Sequence, residues 1–526
     1  MRTAPVLLVS LCLAGASPAR AAEPGTTIWR PLRSGLTWLL GSADATPDER
    51  CELGEQVVGG QTEPGALDVV VPVRKKAWEA AHGGEEAARP AVRARLAGWP
   101  ARLLADRASL PRTDDAFVAR LARDTWRGLE ALTDRENGLP VDHVHLDRAA
   151  AGDYTNVTSI GLRLIAIVAA RELDLLSTAE AVAHVRRLLD TLERLETHEG
   201  FFFNYYDTTS LERTSNFISF VDSSWLAAGL MVVRTALPAL HAECSRLLAQ
   251  EDWRFFYDPE LRRMNHGYYV HRGARSRFHY GVLYAESRLG SVIALGTGDV
   301  PEAHWFGMVR TFPAACAWQS ATPVGRTRRT VHGHAFFGGW YEWGGLRYVP
   351  SWGGSMFEAL MPTLVLDESR HAPESLGRND HVHATVQRRF ALETLGYPVW
   401  GLSPASQPVG DGYGEYGVKP LGTLGYGPGA VTPHASALAL AVTPAEAIAN
   451  LRTLAERFDV YGDFGFYDSV DPRSGTVAHT YLTLDQAMIF IAAANYLKDH
   501  CIQRHFAADP IAQRALPILG AERFFD

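Results

Sequence analysis

Ile160-Gly-Leu-Arg-Leu-Ile-Ala-Ile-Val-Ala-Ala-Arg-Glu-Leu-Asp-Leu-Leu176 is separated by two residues from Ala179-Glu-Ala-Val-Ala-His-Val-Arg-Arg-Leu-Leu-Asp-Thr-Leu-Glu-Arg-Leu195. Apolar side chains recur in both at spacings of three and four, the period of an α-helix. The same period runs through 117–132, 225–236, 282–295, 356–366, 383–395, 435–441, 444–458 and 482–497. Between these segments lie loops loaded with Gly, Trp, Tyr and His. About ten to twelve helices in this arrangement predict an all-α toroid, with helices wound in pairs around a centre and packed in two concentric layers. Their loops would gather at one mouth. No strict repeat is visible, which excludes a solenoid of near-identical units.

The 526 residues carry a formal net charge of −8 and 47% hydrophobic content, so the chain can bury a large core and has no electrostatic footprint for nucleic acid. Arg326, Arg328 and Arg329 form a short basic cluster that reads as a solvated loop. Residues 1–22 read as an export signal: Arg2, an apolar run over 6–16, and the small-x-small site Ala19-Arg20-Ala21. The expected location is therefore secreted or periplasmic, and no later run is long and apolar enough to span a membrane. Residues 23–110 read as an irregular lead-in with a strand over 67–73, and 111–526 as the helical domain. Cys12 falls in the signal. Cys51, Cys244, Cys316 and Cys501 contain no Cys-x-x-Cys pair, which speaks against zinc and allows up to two disulfides. The sequence sets no oligomeric state.

Glu286 lies in Tyr280-Gly-Val-Leu-Tyr-Ala-Glu-Ser-Arg-Leu-Gly-Ser-Val-Ile-Ala-Leu295, read as a helix that surrounds the carboxylate with Val282, Leu283, Leu289 and Ile293. Burial raises the pKa of a carboxyl, the condition for a general acid near neutral pH. Arg288 is about 200° around such a helix and is not its local partner; the competing reading is a structural ion pair with a neighbouring helix. The loops at 201–207, 304–306, 340–343, 348–352 and 462–468 interleave aromatics with acids and amides. Ring faces stack on the C–H faces of a sugar while polar groups take its hydroxyls, although such residues also pack the rim of a helical barrel. Trp305, Trp352, Tyr413 and Tyr467 are the stacking or hydrogen-bonding candidates.

Other motifs lead nowhere. Gly412-Tyr-Gly-Glu-Tyr-Gly417 fits G-x-G-x-x-G but runs into Val418-Lys-Pro420 with no strand before it, so no dinucleotide site is expected. The pairs His143/His145, His332/His334 and His381/His383 lack the companion ligands of a metal site. No G-x-S-x-G elbow is present.

Asn156-Val-Thr-Ser-Ile-Gly-Leu162, Val221-Asp-Ser-Ser-Trp-Leu-Ala-Ala-Gly229, Tyr284-Ala-Glu-Ser-Arg-Leu-Gly-Ser291 with Gly298-Asp-Val-Pro-Glu-Ala-His-Trp-Phe306, Ser351-Trp-Gly-Gly-Ser-Met-Phe-Glu-Ala-Leu-Met-Pro362, Trp400-Gly-Leu-Ser403 and Ala478-His-Thr-Tyr-Leu-Thr-Leu-Asp-Gln486 follow one another in the chain. Together they resemble the glycoamylase-like domains, that is, the endo-β-1,2-glucanases and the transglycosylase domain of cyclic β-1,2-glucan synthases. The resemblance covers about 115 to 498 and implies an (α/α)6 barrel. It places the family's acid on Glu286. In the synthase-type domains a second glutamate follows the Trp-Gly-Ile-Ser motif and is associated with retaining chemistry. Pro404 stands there in this chain, so an inverting hydrolase is expected, with a second carboxylate activating water. Asp468, matching a family Gly-Phe-Tyr-Asp/Glu motif, is the first candidate base, Asp485 the second and Glu415 the third. Asp468 can also be read as a turn residue and Asp485 as a helix cap. Ser355-Met-Phe-Glu358 is an S-x-x-E capping box, so structural duty is the favoured reading of Glu358 and a substrate contact the alternative; Asp222 reads as a helix cap, with a substrate role left open by the family match. The endo-glucanases carry a glutamate just before the Ile-Asp matched by Val221-Asp222, and Asn216 and Phe217 stand there instead. The expectation is a secreted inverting glycoside hydrolase on a β-glucan, most of all β-1,2-glucan, with no metal or organic cofactor; the alternatives are a β-glucan transglycosylase or a non-catalytic glycan-binding protein.

Overall fold

The computed structural model describes residues 70, 72–410 and 412–526. The export signal, Cys12, Cys51 and most of the strand expected at 67–73 lie outside them. Part of the lead-in is helical, forming α1 (Val73–Ala81) and α2 (Glu85–Arg95), and residues 96–110 after it are irregular apart from one short turn at Arg107–Ser109. Helix α1 is fastened by charge. Lys75 Nζ lies 3.0 Å from the buried carboxylate of Asp207 and pairs with Asp153, while the backbone N–H groups of Arg74 and Lys75 donate to Glu212.

The helices that follow are α3 (Asp114–Ala131), α4 (Val157–Glu172), α5 (Thr178–Leu192), α6 (Phe220–Ala236), α7 (His241–Leu248), α8 (Arg288–Thr297), α9 (Ala303–Gly307), α10 (Met356–Leu360), α11 (Glu368–His371), α12 (Leu376–Arg389), α13 (Pro433–Leu438), α14 (Pro444–Arg457), α15 (Thr483–Leu497), α16 (Cys501–Ala508) and α17 (Pro510–Leu519). They fall into two kinds. In α4, α6, α8, α10, α13 and α15 nearly every residue is buried, whichever side of the helix it is on. A helix apolar all round has to be enclosed by others. By contrast α3, α5, α7 and α14 bury one face and leave charged residues on the other.

The enclosed helices touch in sequence: α15 packs on α4, α4 on α6, α6 on α8, α10 on α13, and α13 on α15. Between α8 and α10 the link is polar, with Arg288 donating to the carbonyl oxygens of Glu358 and Ala359. The one-faced helices back onto them, α3 on α15, α5 on α4, α7 on α6 and α14 on α13. Two glycines allow α4 and α6 to come close: a Cβ on Gly161 would lie 2.3 Å from Trp225 O, and one on Gly229 would lie 2.5 Å from Gly161 O. Each large aliphatic side chain enclosed in this way stabilises the fold by about 1.5–3 kcal/mol.

Short antiparallel ladders hold the entrances to the enclosed helices. Tyr154–Asn156 pairs with Tyr205–Asp207 ahead of α4, Phe217–Ser219 with Gly267–Tyr269 ahead of α6, and Thr480–Leu482 with His143–His145 ahead of α15. Cys316 is disulfide-bonded, whereas Cys244 and Cys501 are buried free thiols. The four cysteines beyond the signal are thereby limited to one bond among themselves. No helix among the described residues is long and apolar enough to cross a membrane.

Candidate active site

Four of the six predicted acids, Asp222, Glu286, Glu358 and Asp485, lie at or near the starts of enclosed helices, whereas Asp468 and Glu415 lie in the loops after short strands. Asp222, Glu358 and Asp485 are each the third residue of their helix, in α6, α10 and α15. The partial positive charge of a helix N-terminus favours a carboxylate there. Glu286 sits two residues before α8 and not inside a helix as its apolar spacing predicts. The reason lies in the preceding backbone. Leu283 N–H donates to Val309 O at 3.0 Å and Val309 N–H to Gly281 O at 2.7 Å, so 281–283 is committed to a bridge with the segment after α9. The helix starts only after the turn that holds Glu286, which is 5% exposed. Arg288 is engaged elsewhere, as its angular offset implies: it forms a bidentate pair with Glu368 at 2.7 Å and donates to Ala285 O. Tyr284 Oη donates to Asp380 beside it.

Asp468 and Asp485 form a buried carboxyl pair. Asp468 Oδ2 accepts from Ser406 N–H at 2.6 Å, and the two carboxyl groups hydrogen-bond each other, while no donor from the rest of the protein reaches Asp468 Oδ1 or either oxygen of Asp485. His434 Nδ1 lies 2.8 Å from Asp485 Oδ2, near enough for an ion pair but off the line of a hydrogen bond. Burial keeps that imidazole neutral by lowering its pKa to about 4. With no cation to compensate, burial raises Asp485 to about 7, and burial together with the charge of Asp485 holds Asp468 well above the usual carboxylate range. Tyr413 faces this pair, Glu415 and Asp142. Its hydroxyl is enclosed without a partner, although its ring is half-exposed.

Along the row of helix starts, Asp222 accepts from Thr158 Oγ1 at 2.6 Å, and its second oxygen takes no hydrogen bond. Burial raises its pKa. Tyr205 feels the charge of both Asp222 and Asp142, and the electrostatic chain continues through Tyr413 to Asp485. Glu286 and Glu358 make a second pair: burial and the charge of Glu286 push Glu358 up to about 8. Glu358 is nevertheless occupied. It accepts from Ser351 Oγ at 2.8 Å, from Gly353 N–H at 2.9 Å and from Ser355 N–H at 3.2 Å, completing the predicted capping box. Backbone bonds lace this start to the others, with Met356 N–H donating to Leu402 O, Thr432 N–H to Gly401 O, and Val431 exchanging a pair with Val470, two residues beyond Asp468.

The aromatic candidates divide. Trp352 packs in a small apolar cluster with Val282, Val309, Phe312 and Tyr426, next to the Glu286 turn and apart from the main core. Trp305 does not offer a stacking face: it is 1% exposed, inside the main core. Tyr467 is likewise enclosed, with its ring against His479 and Tyr481 and its hydroxyl donating to Leu103 O. Glu415 is half-buried beside Tyr413. Asp142, His434 and Tyr205 are part of this arrangement and were not selected from sequence. The one local signal was Asp142 next to His143, whose Nδ1 it meets at 2.9 Å. No group of three metal-ligating side chains is present among the described residues.

With this geometry in hand, similarity to known proteins is informative. Residues 321–510 match the sequence model of the Glycoamylase family, described as "Putative glucoamylase", and residues 120–261 match that of a family of unknown function. The cyclic β-(1,2)-glucan synthase NdvB of Rhizobium meliloti is 23% identical over 77% of this chain. The chain spans only 19% of that much longer protein. Among solved structures, the Bacteroides fragilis "putative glucoamylase" is 20% identical with a TM-score of 0.64, covering 79% of this chain and 99% of its own. The endo-β-1,2-glucanase of Chitinophaga pinensis, in complex with sophorotriose and glucose, is 16% identical with a TM-score of 0.61, covering 78% and 99%. That of Talaromyces funiculosus, in complex with sophorose, is 11% identical with a TM-score of 0.61, covering 79% and 92%. At these identities the structures establish a shared, largely helical fold, and the matches as a whole support the glycoamylase-like family for this chain.

Proposed function

We propose that the chain is a secreted, inverting glycoside hydrolase of (α/α)6-toroid architecture that cleaves β-glucan, with β-1,2-glucan as the first substrate to test. One observation carries the reading. Apart from the bond that Asp468 and Asp485 make with each other, oxygens of Asp222, Asp468 and Asp485 and the hydroxyl of Tyr413 are buried without matched donors or acceptors in the protein. Buried polar groups are normally satisfied, and a concentration of orphans around a carboxyl pair is what a polyhydroxylated ligand and a reacting water complete. The similarity to endo-β-1,2-glucanases and to a cyclic β-(1,2)-glucan synthase supports the same substrate class. The succession of contacts among six enclosed helices, backed by one-faced helices, supports the toroid.

In the proposed reaction Glu286 gives its proton to the leaving glycosidic oxygen as the C1–O bond breaks. Water adds to C1 from the opposite face and yields its proton to the Asp468/Asp485 pair. The raised pKa of Asp485 suits a base working near neutral pH. Pro404, in place of a carboxylate after Trp400-Gly-Leu-Ser403, supports inversion over a covalent intermediate. The test is purified protein against a panel of glucans, with reducing ends and the anomer of the first product measured. Release from β-1,2-glucan with inverted configuration is expected, and Glu286→Gln should stop turnover while retention on a glucan matrix persists. Products longer than the substrate would establish a transglycosylase; retention with no turnover in the wild type would establish a binding protein.

A further inference from the structure

Between the strands Arg263–Asn265 and Gly267–Tyr269 the chain passes through His266. Its N–H donates to Phe278 O at 2.8 Å, and its carbonyl accepts from Phe220 N–H at 3.1 Å. The residue thus ties the start of α6, two positions from Asp222, to the segment that runs through Tyr280 to Glu286. Its ring lies between those of Phe217 and Tyr280, with centroids 5.2 and 5.3 Å away. Gly267 makes room for this packing, since a Cβ there would come within 2.2 Å of the Phe217 ring.

Both ring nitrogens of His266 are enclosed, and neither has a hydrogen-bond partner. Among the described histidines it is the only one with both nitrogens in that state. The residue as a whole is only half-buried, whereas the fully buried histidines use at least one nitrogen: His279 meets Asp258 and Asn265, His304 meets Arg262 O and Ser291, and His383 meets Val349 O. Burial lowers the pKa of His266 to about 4, so at neutral pH the ring offers one N–H donor and one lone-pair acceptor. Packing does not explain this choice, because an apolar side chain between two aromatic rings would avoid leaving two polar atoms unmatched.

We propose that His266 is a substrate-binding residue, whose imidazole takes one hydroxyl as donor and a neighbouring hydroxyl as acceptor on a sugar unit seated between Asp222 and Glu286. This rests on the glycan-hydrolase reading above. Vicinal hydroxyls present that donor and acceptor pair, and the Phe217 and Tyr280 rings supply the apolar walls that a pyranose face requires.

The test uses the full chain and its His266→Phe and His266→Gln variants, with thermal midpoint, kcat and KM measured on whichever glucan the wild type cleaves. Removing two unmatched polar atoms should leave the midpoint of His266→Phe unchanged or higher. Its KM should rise about tenfold with kcat altered far less, the loss expected for two uncharged hydrogen bonds. His266→Gln, which keeps a donor and an acceptor, should stay within about threefold of the wild-type KM. An unchanged KM in His266→Phe overturns the proposal. So does a lowered midpoint in both variants, which would mean that the ring nitrogens serve the free fold. If Phe proves too large to fold, a KM for His266→Gln raised as far as that of His266→Ala overturns it equally. Wild type that cleaves no glucan is a different failure, that of the hydrolase reading, and the midpoints still decide whether the nitrogens have partners in the free protein.

Discussion

Helices α10 and α15 begin alike and end up differently used. Each has a buried carboxylate as its third residue, Glu358 and Asp485, and burial raises the pKa of both. In α10 the preceding cap is Ser355, which together with Ser351 and Gly353 surrounds Glu358 with donors. In α15 the cap position is Leu482, which brings no side-chain donor, and Asp485 is left facing Asp468 and a neutral imidazole. Burial alone therefore does not mark a working acid. On the proposed reading, the carboxylate that acts as base is the one for which the fold supplies no donors of its own.

The largest effect should come from replacing the unmatched acid. Asp485→Asn is expected to lower kcat/KM by about a thousandfold, the scale of a lost general base, with a thermal midpoint no lower than the wild type. Asp468→Asn should behave in the same way. An active Asp485→Asn would remove α15 from the chemistry and leave the two helix starts equivalent.

The matched acid should show the reverse pattern. Glu358→Ala strands the N–H groups of Gly353 and Ser355 and the hydroxyl of Ser351, a loss of about 3 kcal/mol in stability by urea denaturation. Turnover by the protein that remains folded should fall much less than in Asp485→Asn. A thousandfold loss with an unchanged unfolding midpoint would place Glu358 in the reaction instead.

Titration sharpens the contrast. The folded-state pKa of Asp485 is raised to about 7 from an ordinary 3.8, so the folded protein binds this proton more tightly than the unfolded chain does. Its contribution favours the fold below pH about 4 and is lost progressively as pH rises towards 7. Asp485→Asn removes the slope. It should be more stable than the wild type at pH 8 by on the order of 2 kcal/mol, with the gap closing under acid conditions. Activity follows the opposite sign, since the base must be deprotonated: wild-type kcat/KM should fall as pH drops through about 7. An acid limb near pH 4 would show that the pair does not supply the base.

Much of this was legible in the chain, and what was not has identifiable causes. Helices such as 179–195 and 444–458 announced themselves because their burial follows helical geometry, one face turned inward. The capping box at Ser355 and Glu358 was readable because both halves lie within four residues. Residues 280–287 misled, because apolar spacing reports burial, and these residues are buried by a bridge to Val309 that no local pattern reveals. Trp305 and Trp352 look equivalent as loop aromatics, yet one belongs to the core and the other to the cluster beside Glu286. His434 and Asp142 were missed because their roles depend on meeting Asp485 and Tyr413 across the fold, a relation that spacing does not encode.

The smallest effect isolates the cap from the carboxylate. Ser355→Ala removes the hydroxyl that accepts from Glu358 N–H at 3.2 Å but leaves the Glu358 carboxylate on Gly353, Ser351 and its own backbone partner at Ser355. A lost serine cap typically costs about 1 kcal/mol, so a small drop in unfolding free energy with kcat and KM nearly unchanged is expected. Because the acid keeps its donors, any effect on kcat beyond about threefold would require the start of α10 to move during the reaction. In that event the occupied state of Glu358 would be one position of a mobile group, and the distinction drawn between α10 and α15 would hold only for the resting enzyme.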